Sequence, residues 1–228
     1  MSGMNRKQNR RFYLSVEGDC EALYFQHLQK LINACPGADF NAKIVAVRKI
    51  KPTSMLKRQG HDAVDKFQGK QVPFFHIQDV EEYHDAEGRR NFQGLIDDLI
   101  DARKTFSVAY DLGYSNYTFE LWLLLHVTDM NAPLADRYHY LNYINRAFDT
   151  TYKSLSEYKK ADNFCQILKD YITLEAVLKA IERSERLRAR RAITDLPTAY
   201  SGISFYADNP DTTVDQVVKY ILRVCGIL

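Results

Sequence analysis

The sequence predicts an α/β fold in which helices flank a parallel sheet, followed by a helical C-terminal half. Apolar, β-prone runs alternate with amphipathic helical patterns through the first 110 residues, and only helical patterns follow from residue 116. Such alternation is typical of a parallel sheet covered by helices. For a chain of 228 residues, we therefore expect an α/β core at 1–128 and a helical extension packed on it at 129–228.

The individual elements follow from hydrophobic period and from stop signals. The expected strands are short apolar runs that end at turn or charged residues; they cover residues 11–16, 43–48, 72–80 and 105–110. The clearest expected helices in the core have apolar residues at helical spacing; they begin at residue 21 and at residue 88. Beyond the core, helices are expected at residues 119–126, 135–148, 163–192 and 213–224.

Composition excludes several classes of protein. With 46% hydrophobic and 26% charged residues, the chain is typical of globular proteins and unlike disordered ones. The longest apolar stretch, Phe119 to Val127, is far shorter than the roughly 20 residues that a bilayer requires, so no membrane partner is expected. The N-terminus has no signal-peptide pattern, which predicts a cytoplasmic location. The cysteines form no C-x-x-C pair and are expected to be reduced.

Charge is unevenly distributed along the chain. Residues 40–61 contain six Lys or Arg and no acid, whereas residues 79–101 contain eight acids and two Arg. Such blocks could bind a polyanion through one segment and divalent cations through the other, although solvated helix faces produce the same pattern. The arginines of the 163–192 segment suit phosphate contacts, but the helical spacing of Glu182 with Arg186 and of Glu185 with Arg188 favours salt bridges within that helix instead.

Acidic residues follow the expected strands, at the edge of a parallel sheet where ligands bind. They are Glu17, Asp19 and Glu21, then Asp79, Glu81 and Glu82, then Asp111. Because side chains alternate along a strand, Asp79 and Glu81 are expected on one side and Glu82 on the other. Clustered carboxylates without His or Cys favour Mg²⁺ or Mn²⁺. The alternative is that these acids cap helices and contact water.

Two longer motifs carry a resemblance to a known family. Residues 16–25 read V-E-G-D-C-E-A-L-Y-F, which resembles the E-G-x-T-E-x-x-Y-F start of RloB-like proteins. Residues 115–126 read S-N-Y-T-F-E-L-W-L-L-L-H, which resembles the S-N-P-x-F-E-x-W-L-L-L-H signature of the same family. Asn209-Pro210 before the last helix also fits. This prokaryotic family is associated with restriction and phage-defence loci and is similar to Toprim nucleases.

The resemblance implies a Toprim-like sheet and a set of site residues. The Toprim pattern has a Glu after the first strand and a D-x-D after the third, which correspond here to Glu17 and to Asp79 with Glu81. The resemblance implies that Asp79 and Glu81 bind Mg²⁺, and that Glu17 acts as general acid/base or as a further ligand. The chain departs from the family pattern in having Glu81 for the second Asp, Cys20 for Thr and Tyr117 for Pro.

Glu120 lies in an otherwise apolar helix, where a charged side chain is costly to bury without a partner. His126 is six residues further on and points to another face of the helix, so it is not the expected partner. The residue-level alternative is that Glu120 faces solvent or binds a backbone amide. The family resemblance implies instead that Glu120 lies at the edge of the active site.

The leading functional hypothesis is a Mg²⁺-dependent (or Mn²⁺-dependent) Toprim-type nuclease that acts on DNA or RNA in phage defence, with a partner defence protein as an open possibility. The alternative is a non-catalytic subunit that binds nucleic acid or a nucleotide in a defence or restriction complex. A third hypothesis is an interaction subunit with a vestigial acidic cluster. No P-loop or dinucleotide-binding motif is present, so ATP hydrolysis and hydride transfer have no support.

Overall fold

Four parallel strands form the main sheet of the protein, in the spatial order β2-β1-β3-β4. The computed structural model describes residues 7–64, 74–81, 83–131, 137–208 and 210–228. The strands are β1 (Asn9–Val16), β2 (Asn41–Arg48), β3 (Phe74–Asp79) and β4 (Tyr110–Ser115). The predicted fold class, an α/β sheet flanked by helices with a helical C-terminal part, is confirmed and is consistent with a Toprim-like fold.

Helices connect these strands and make up most of the chain after them. In the core they are α1 (Asp19–Ala34), α2 (Pro52–Val64), α3 (Ala86–Phe106) and α4 (Glu120–Leu124). After the core they are α5 (Tyr140–Ala147), α6 (Leu155–Tyr158), α7 (Ala161–Tyr171), α8 (Leu174–Thr194) and α9 (Val214–Val224), with a 3₁₀ turn at Arg137–His139. None of the helices in the described ranges has the length and apolar character needed to cross a bilayer. All four cysteines are free thiols.

The expected fourth strand at residues 105–110 is wrong. Helix α3 continues to Phe106, whose partly buried side chain extends the apolar face that includes Leu99. Ser107 then ends the helix in a left-handed conformation, and β4 begins only at Tyr110. Asp111 was predicted to follow the strand. Instead it lies near the amino end of β4, where it pairs with Arg103 at 3.3 Å.

The expected long helix at residues 163–192 is also wrong, because the structure divides it into α7 and α8. Thr173 is the N-cap of the second helix, and its hydroxyl accepts a hydrogen bond from the amide of Ala176 at 3.1 Å. The amide of Ala176 would bond within an uninterrupted helix, but it lacks such a partner in the first turn of α8, and the Thr173 hydroxyl takes that place. A short antiparallel hairpin, β5 (Thr198–Tyr200) and β6 (Ile203–Phe205), was not predicted. Parts of the expected elements, residues 72–73, 135–136 and 209, lie outside the described residues.

Two arginines of α8, Arg186 and Arg188, bind residues outside their helix and not the glutamates expected as their partners. The expected pairs joined Arg186 to Glu182 and Arg188 to Glu185. Instead, Arg186 pairs with Asp129 at 3.2 Å, outside the helix. Similarly, Arg188 makes a two-point contact with the buried Asp215 of α9, with Nη2 and Oδ2 2.6 Å apart. These arginines therefore tie the helical half together.

The two faces of the sheet bury different layers. Val16 and Ile77 belong to the largest hydrophobic cluster, which also contains residues of α1 and α4 and of the later helices α5 to α9. On the opposite face, Tyr13 and Phe74 pack with residues of α2 and α3. Because residues from both halves of the chain share the largest cluster, the helical extension covers one face of the sheet directly.

The C-terminal segment is joined to the far edge of the sheet by hydrogen bonds. The amide of Thr213 donates to the carbonyl of Tyr114 at 2.9 Å, and Ser115 forms an antiparallel bridge with Thr212. Next along the chain, the amide of Asn116 donates to the carbonyl of Asp211 at 2.9 Å. These contacts fix the carboxyl end of β4 and the start of α4.

Candidate functional site

A cleft of about 760 Å³ opens at the carboxyl ends of β1 and β3. Glu17, Asp79 and Glu81, the three predicted metal ligands, all line it. This is the sheet edge at which parallel α/β folds bind ligands, because loops there diverge to the two faces of the sheet. The structure therefore brings the predicted residues to one cleft, while Glu82 lies outside the described residues.

Glu17 follows β1 directly and is held from two sides. Its Oε2 accepts a hydrogen bond from the side-chain amide of Gln78 at 2.5 Å and from the backbone amide of Asp79 at 3.0 Å. Burial, together with the charges of Glu81 and Glu120, raises the pKa of Glu17 despite the bond from the Asp79 amide. Since both bonds end on Oε2, the other carboxylate oxygen is the one available to a ligand.

Asp79 ends β3 and is the least stabilised carboxylate of the site. The residue is among those that line the cleft, although it is only 8% exposed. Within the described part of the chain, its carboxylate accepts no hydrogen bond. Burial raises its pKa well above the ordinary range, and so do the charges of Glu17, Glu21 and Glu120. A buried carboxylate under this repulsion is strongly attracted to a cation.

Glu120 begins α4 and is completely buried. The hydroxyl of Thr118 donates to its Oε2, and Lys159 forms an ion pair with its Oε1 at 3.1 Å. The expectation that Glu120 needs a partner is confirmed, and the alternative of a solvent-facing or backbone-bonded side chain is wrong. His126 is not that partner; its ring instead contacts the hydroxyl of Tyr24 and the carbonyl of Trp122.

Two further charged residues belong to the acidic group: Glu21, which the sequence placed at the sheet edge without a role, and Lys159, which was not predicted there. Glu21, in the first turn of α1, accepts a hydrogen bond from the amide of Gly18 at 3.0 Å. Burial raises its pKa to about 7, with smaller contributions from Glu120 and Glu17. Lys159, from the helical half, has its pKa raised by Glu120 and Asp79 against the opposing effect of burial. Lys159 is therefore the main positive charge facing this acidic group.

The neighbouring acids that raise the pKa values of Asp79 and Glu17 are not the same. The acids that raise the pKa of Asp79 are Glu17, Glu21 and Glu120, whereas Glu81 acts on Glu17. The sequence predicted Asp79 and Glu81 on one side of an extended segment. Strand β3 ends at Asp79, and both residues line the cleft.

The donor chemistry of this group suits a hard cation, but the side chains are not preassembled around one. Among the described residues, no three His, Cys, Asp or Glu side chains form a ready metal-ligand set. The reason is local, because Glu17, Glu21 and Glu120 each bind a hydrogen-bond donor of their own. The available donors are all carboxylate oxygens, which Mg²⁺ and Mn²⁺ prefer. The residues that could hold such an ion are Glu17, Asp79 and Glu81.

Basic residues border the same cleft. Lys49 and Lys51, which follow β2, line it together with Arg90 of α3. Strand β2 lies beside β1, and the amide of Lys49 donates to the carbonyl of Val16 at 2.9 Å, so this segment begins next to Glu17. Arg48 differs, because its guanidinium pairs with Asp19. Part of the basic segment at 40–61 therefore faces the acidic site, as its charge pattern indicated.

Comparison with known proteins agrees with the two motifs. The family model described as RloB-like protein matches residues 12–221, which is most of the chain. The protein therefore belongs to the RloB-like family. No curated protein matches it.

Replacing Glu21 should change the pH dependence of stability. The pKa of Glu21 is 4.5 ordinarily and about 7 in the folded protein, so the folded state holds this proton more tightly. Unfolding therefore becomes easier as pH rises between those values, by up to about 1.4 kcal/mol per pH unit. Glu21→Gln keeps an acceptor for the Gly18 amide and removes the proton, so we expect a flatter profile.

Urea denaturation from pH 4.5 to 8 without divalent cations measures this profile. Glu182→Gln is the matched control, because that glutamate is exposed on α8 and its loss should leave the slope of the wild type. A Glu21→Gln profile as steep as that of the control would contradict the assignment.

Proposed function

We propose that the protein is a metal-dependent nuclease that hydrolyses phosphodiester bonds of nucleic acid in this cleft. The observation that carries the proposal is Asp79, a buried carboxylate that lines the cleft beside Glu17 and accepts no hydrogen bond within the described residues. Keeping such a group charged is costly unless a cation neutralises it. The lysines at the rim suit a polyanionic substrate.

Asp79 and Glu81 would hold the cation, which is Mg²⁺ or Mn²⁺ in this proposal, with Glu17 either as a further ligand or as the general base. When bound, such an ion neutralises the negative charge that develops on the scissile phosphate. Lys159 contributes a fixed positive charge on the buried side, where it holds Glu120 at 3.1 Å. Glu120 in turn keeps Lys159 close to Asp79, and this pair limits the repulsion that Asp79 experiences before a cation binds.

Glu17 is the candidate general base. Its Oε2 is fixed by the donors from Gln78 and Asp79, so Oε1 is the oxygen left to accept a proton from an attacking water. The raised pKa of Glu17 brings its carboxyl group closer to neutral pH, where a general base works best. In this proposal, Oε2 of Glu17 holds the carboxylate in place and Oε1 takes part in proton transfer.

Lys49, Lys51 and Arg90 are the candidate contacts for the phosphates that flank the scissile bond. Contacts of this kind carry no base specificity, so DNA and RNA are both candidate substrates. The resemblance of the two motifs to the family adds a role in phage defence, which we place in the cytoplasm. In one form of that role, the protein would act together with a partner defence protein.

Removing the charge of Asp79 should abolish cleavage. Asp79→Asn keeps the size of the side chain, and Glu17→Gln does the same at the neighbouring ligand. We expect each to lower the rate by at least about 100-fold, because losing one ligand weakens the metal and its orientation together. The assay is cleavage of single- and double-stranded DNA and RNA with Mg²⁺ or Mn²⁺.

Asp111→Asn is the matched control, because Asp111 lies near the opposite end of β4 and is exposed. Activity retained in Asp79→Asn, or lost equally in Asp111→Asn, would refute the site. A wild-type protein that binds nucleic acid but cuts none of these substrates would favour the alternative of a non-catalytic binding subunit.

Neutralising the lysines at the rim should weaken nucleic-acid binding and its dependence on salt. For Lys49→Gln with Lys51→Gln, we expect the slope of log K against log salt to fall by up to about 1.8, since each phosphate contact to duplex DNA contributes about 0.9. Fluorescence anisotropy without divalent cations measures binding without cleavage. Lys30→Gln with Lys43→Gln removes the same charge at exposed positions that do not line the cleft. Equal slopes in the two double variants would contradict the assignment.

A further inference from the structure

A chain of hydrogen bonds crosses the sheet and ends on Glu17. It starts at the hydroxyl of Tyr110, 2.6 Å from the hydroxyl of Ser15, which is 2.5 Å from Nδ1 of His76. Nε2 of His76 lies 3.2 Å from Oε1 of Gln78, and the amide nitrogen of Gln78 lies 2.5 Å from Oε2 of Glu17. Five side chains are thus linked in series: four of them lie on three neighbouring strands, and the fifth is Glu17, directly after β1.

The chemistry of these groups permits only one direction along most of this chain. A carboxylate accepts hydrogen bonds, so Gln78 must present its amide N–H to Glu17 and its oxygen to His76. That oxygen requires a proton on Nε2 of His76, which leaves Nδ1 of a neutral ring as an acceptor for the Ser15 hydroxyl. Burial lowers the pKa of His76 to about 4, so the ring is neutral near pH 7. The oxygen of Ser15 then accepts from Tyr110.

The backbone builds this arrangement. Ser15 and His76 are directly paired in the parallel register of β1 and β3, and both are almost completely buried. Gln78 lies two residues after His76 and therefore on the same face of β3. The other neighbours on this face, such as Tyr13 and Phe74, belong to a hydrophobic cluster. A buried polar chain in such a layer is stable only when every member is satisfied.

We infer that His76 is a positioning residue for Glu17. Acting through Gln78, it would fix the carboxylate so that Oε2 is occupied and Oε1 faces the cleft, while Ser15 and Tyr110 would hold the tautomer that this requires. His76 also lines the cleft with Gln78 and Glu17, so the last three members of the chain are contiguous with the site. The catalytic consequence of this inference rests on the proposed nuclease function.

The first test reads the last link of the chain without using activity. In the wild type, the side-chain amide of Gln78 should show a downfield proton shift and slow exchange with water in NMR, because it donates a short bond to a carboxylate. His76→Phe keeps a ring and removes both nitrogens, so this signal should move to ordinary values and exchange rapidly. His76→Gln retains a donor for Oε1 of Gln78 and should restore much of the protection.

Ser15→Ala is the milder variant if His76→Phe does not fold, and it should reduce the protection in part. Tyr24→Phe is the matched control, since it removes another buried hydroxyl that contacts a buried histidine, His126, at 3.2 Å. It should leave the Gln78 signal unchanged. An unchanged signal in His76→Phe, or in Ser15→Ala where only that variant folds, would overturn the inference.

The second test is kinetic. In a cleaving wild type, His76→Phe should lower kcat by about tenfold with little change in KM, because a misoriented base affects the reaction more than substrate binding. His76→Gln should recover most of the loss, and Tyr24→Phe should show none. If the wild-type protein cleaves no substrate, the proposed function is refuted, and the NMR experiment alone then tests the hydrogen-bond chain. Full kcat in a folded His76→Phe would overturn the positioning role.

Discussion

Buried negative charge at the carboxyl end of the sheet is the constraint on which the arrangement of this protein depends. Burial raises the cost of ionising Glu17, Glu21 and Asp79, and the charge of Glu120 adds to it. Local hydrogen-bond donors relieve that cost for Glu17 and Glu21 but not for Asp79. The N-terminus of α1 adds a favourable dipole next to Glu21, and Lys159 supplies a full positive charge. What remains uncompensated is concentrated on Asp79, where a cation would be bound most strongly.

This constraint explains why the helical half is part of the site and not only a cover. It provides Lys159, which reaches Glu120 from beyond α6, and it fixes the segment that carries Glu120. The hydroxyl of Tyr140 donates to the carbonyl of Asn116 at 2.9 Å, and the side-chain amide of Asn116 donates to the carbonyl of Asp208 at 2.9 Å. The S-N-x-x-F-E motif therefore places a buried acid by tying its first residues to distant parts of the chain.

The sequence predicted that Glu17, Asp79 and Glu81 lie at one edge of the sheet, because strand ends can be read from apolar runs and parallel strands bring their ends together. The prediction misplaced β4 because Thr105 and Phe106, which suit a strand, form the last residues of α3 instead. It recognised that Glu120 needed a partner, yet it could not select Lys159, since many cations are distant in sequence and only tertiary packing chooses among them. His76 carried no ligand spacing, and its role depends on strand register, which a single sequence does not specify.

Calorimetric titration of the metal-free protein with Mn²⁺ near pH 7 tests the central claim most directly. We predict that Mn²⁺ binds and that the heat depends on the ionisation enthalpy of the buffer, because a cation would displace protons held by carboxyls whose pKa values are raised. Glu21, with a pKa of about 7, is a source of those protons. The absence of Mn²⁺ binding to the folded wild-type protein would contradict the account.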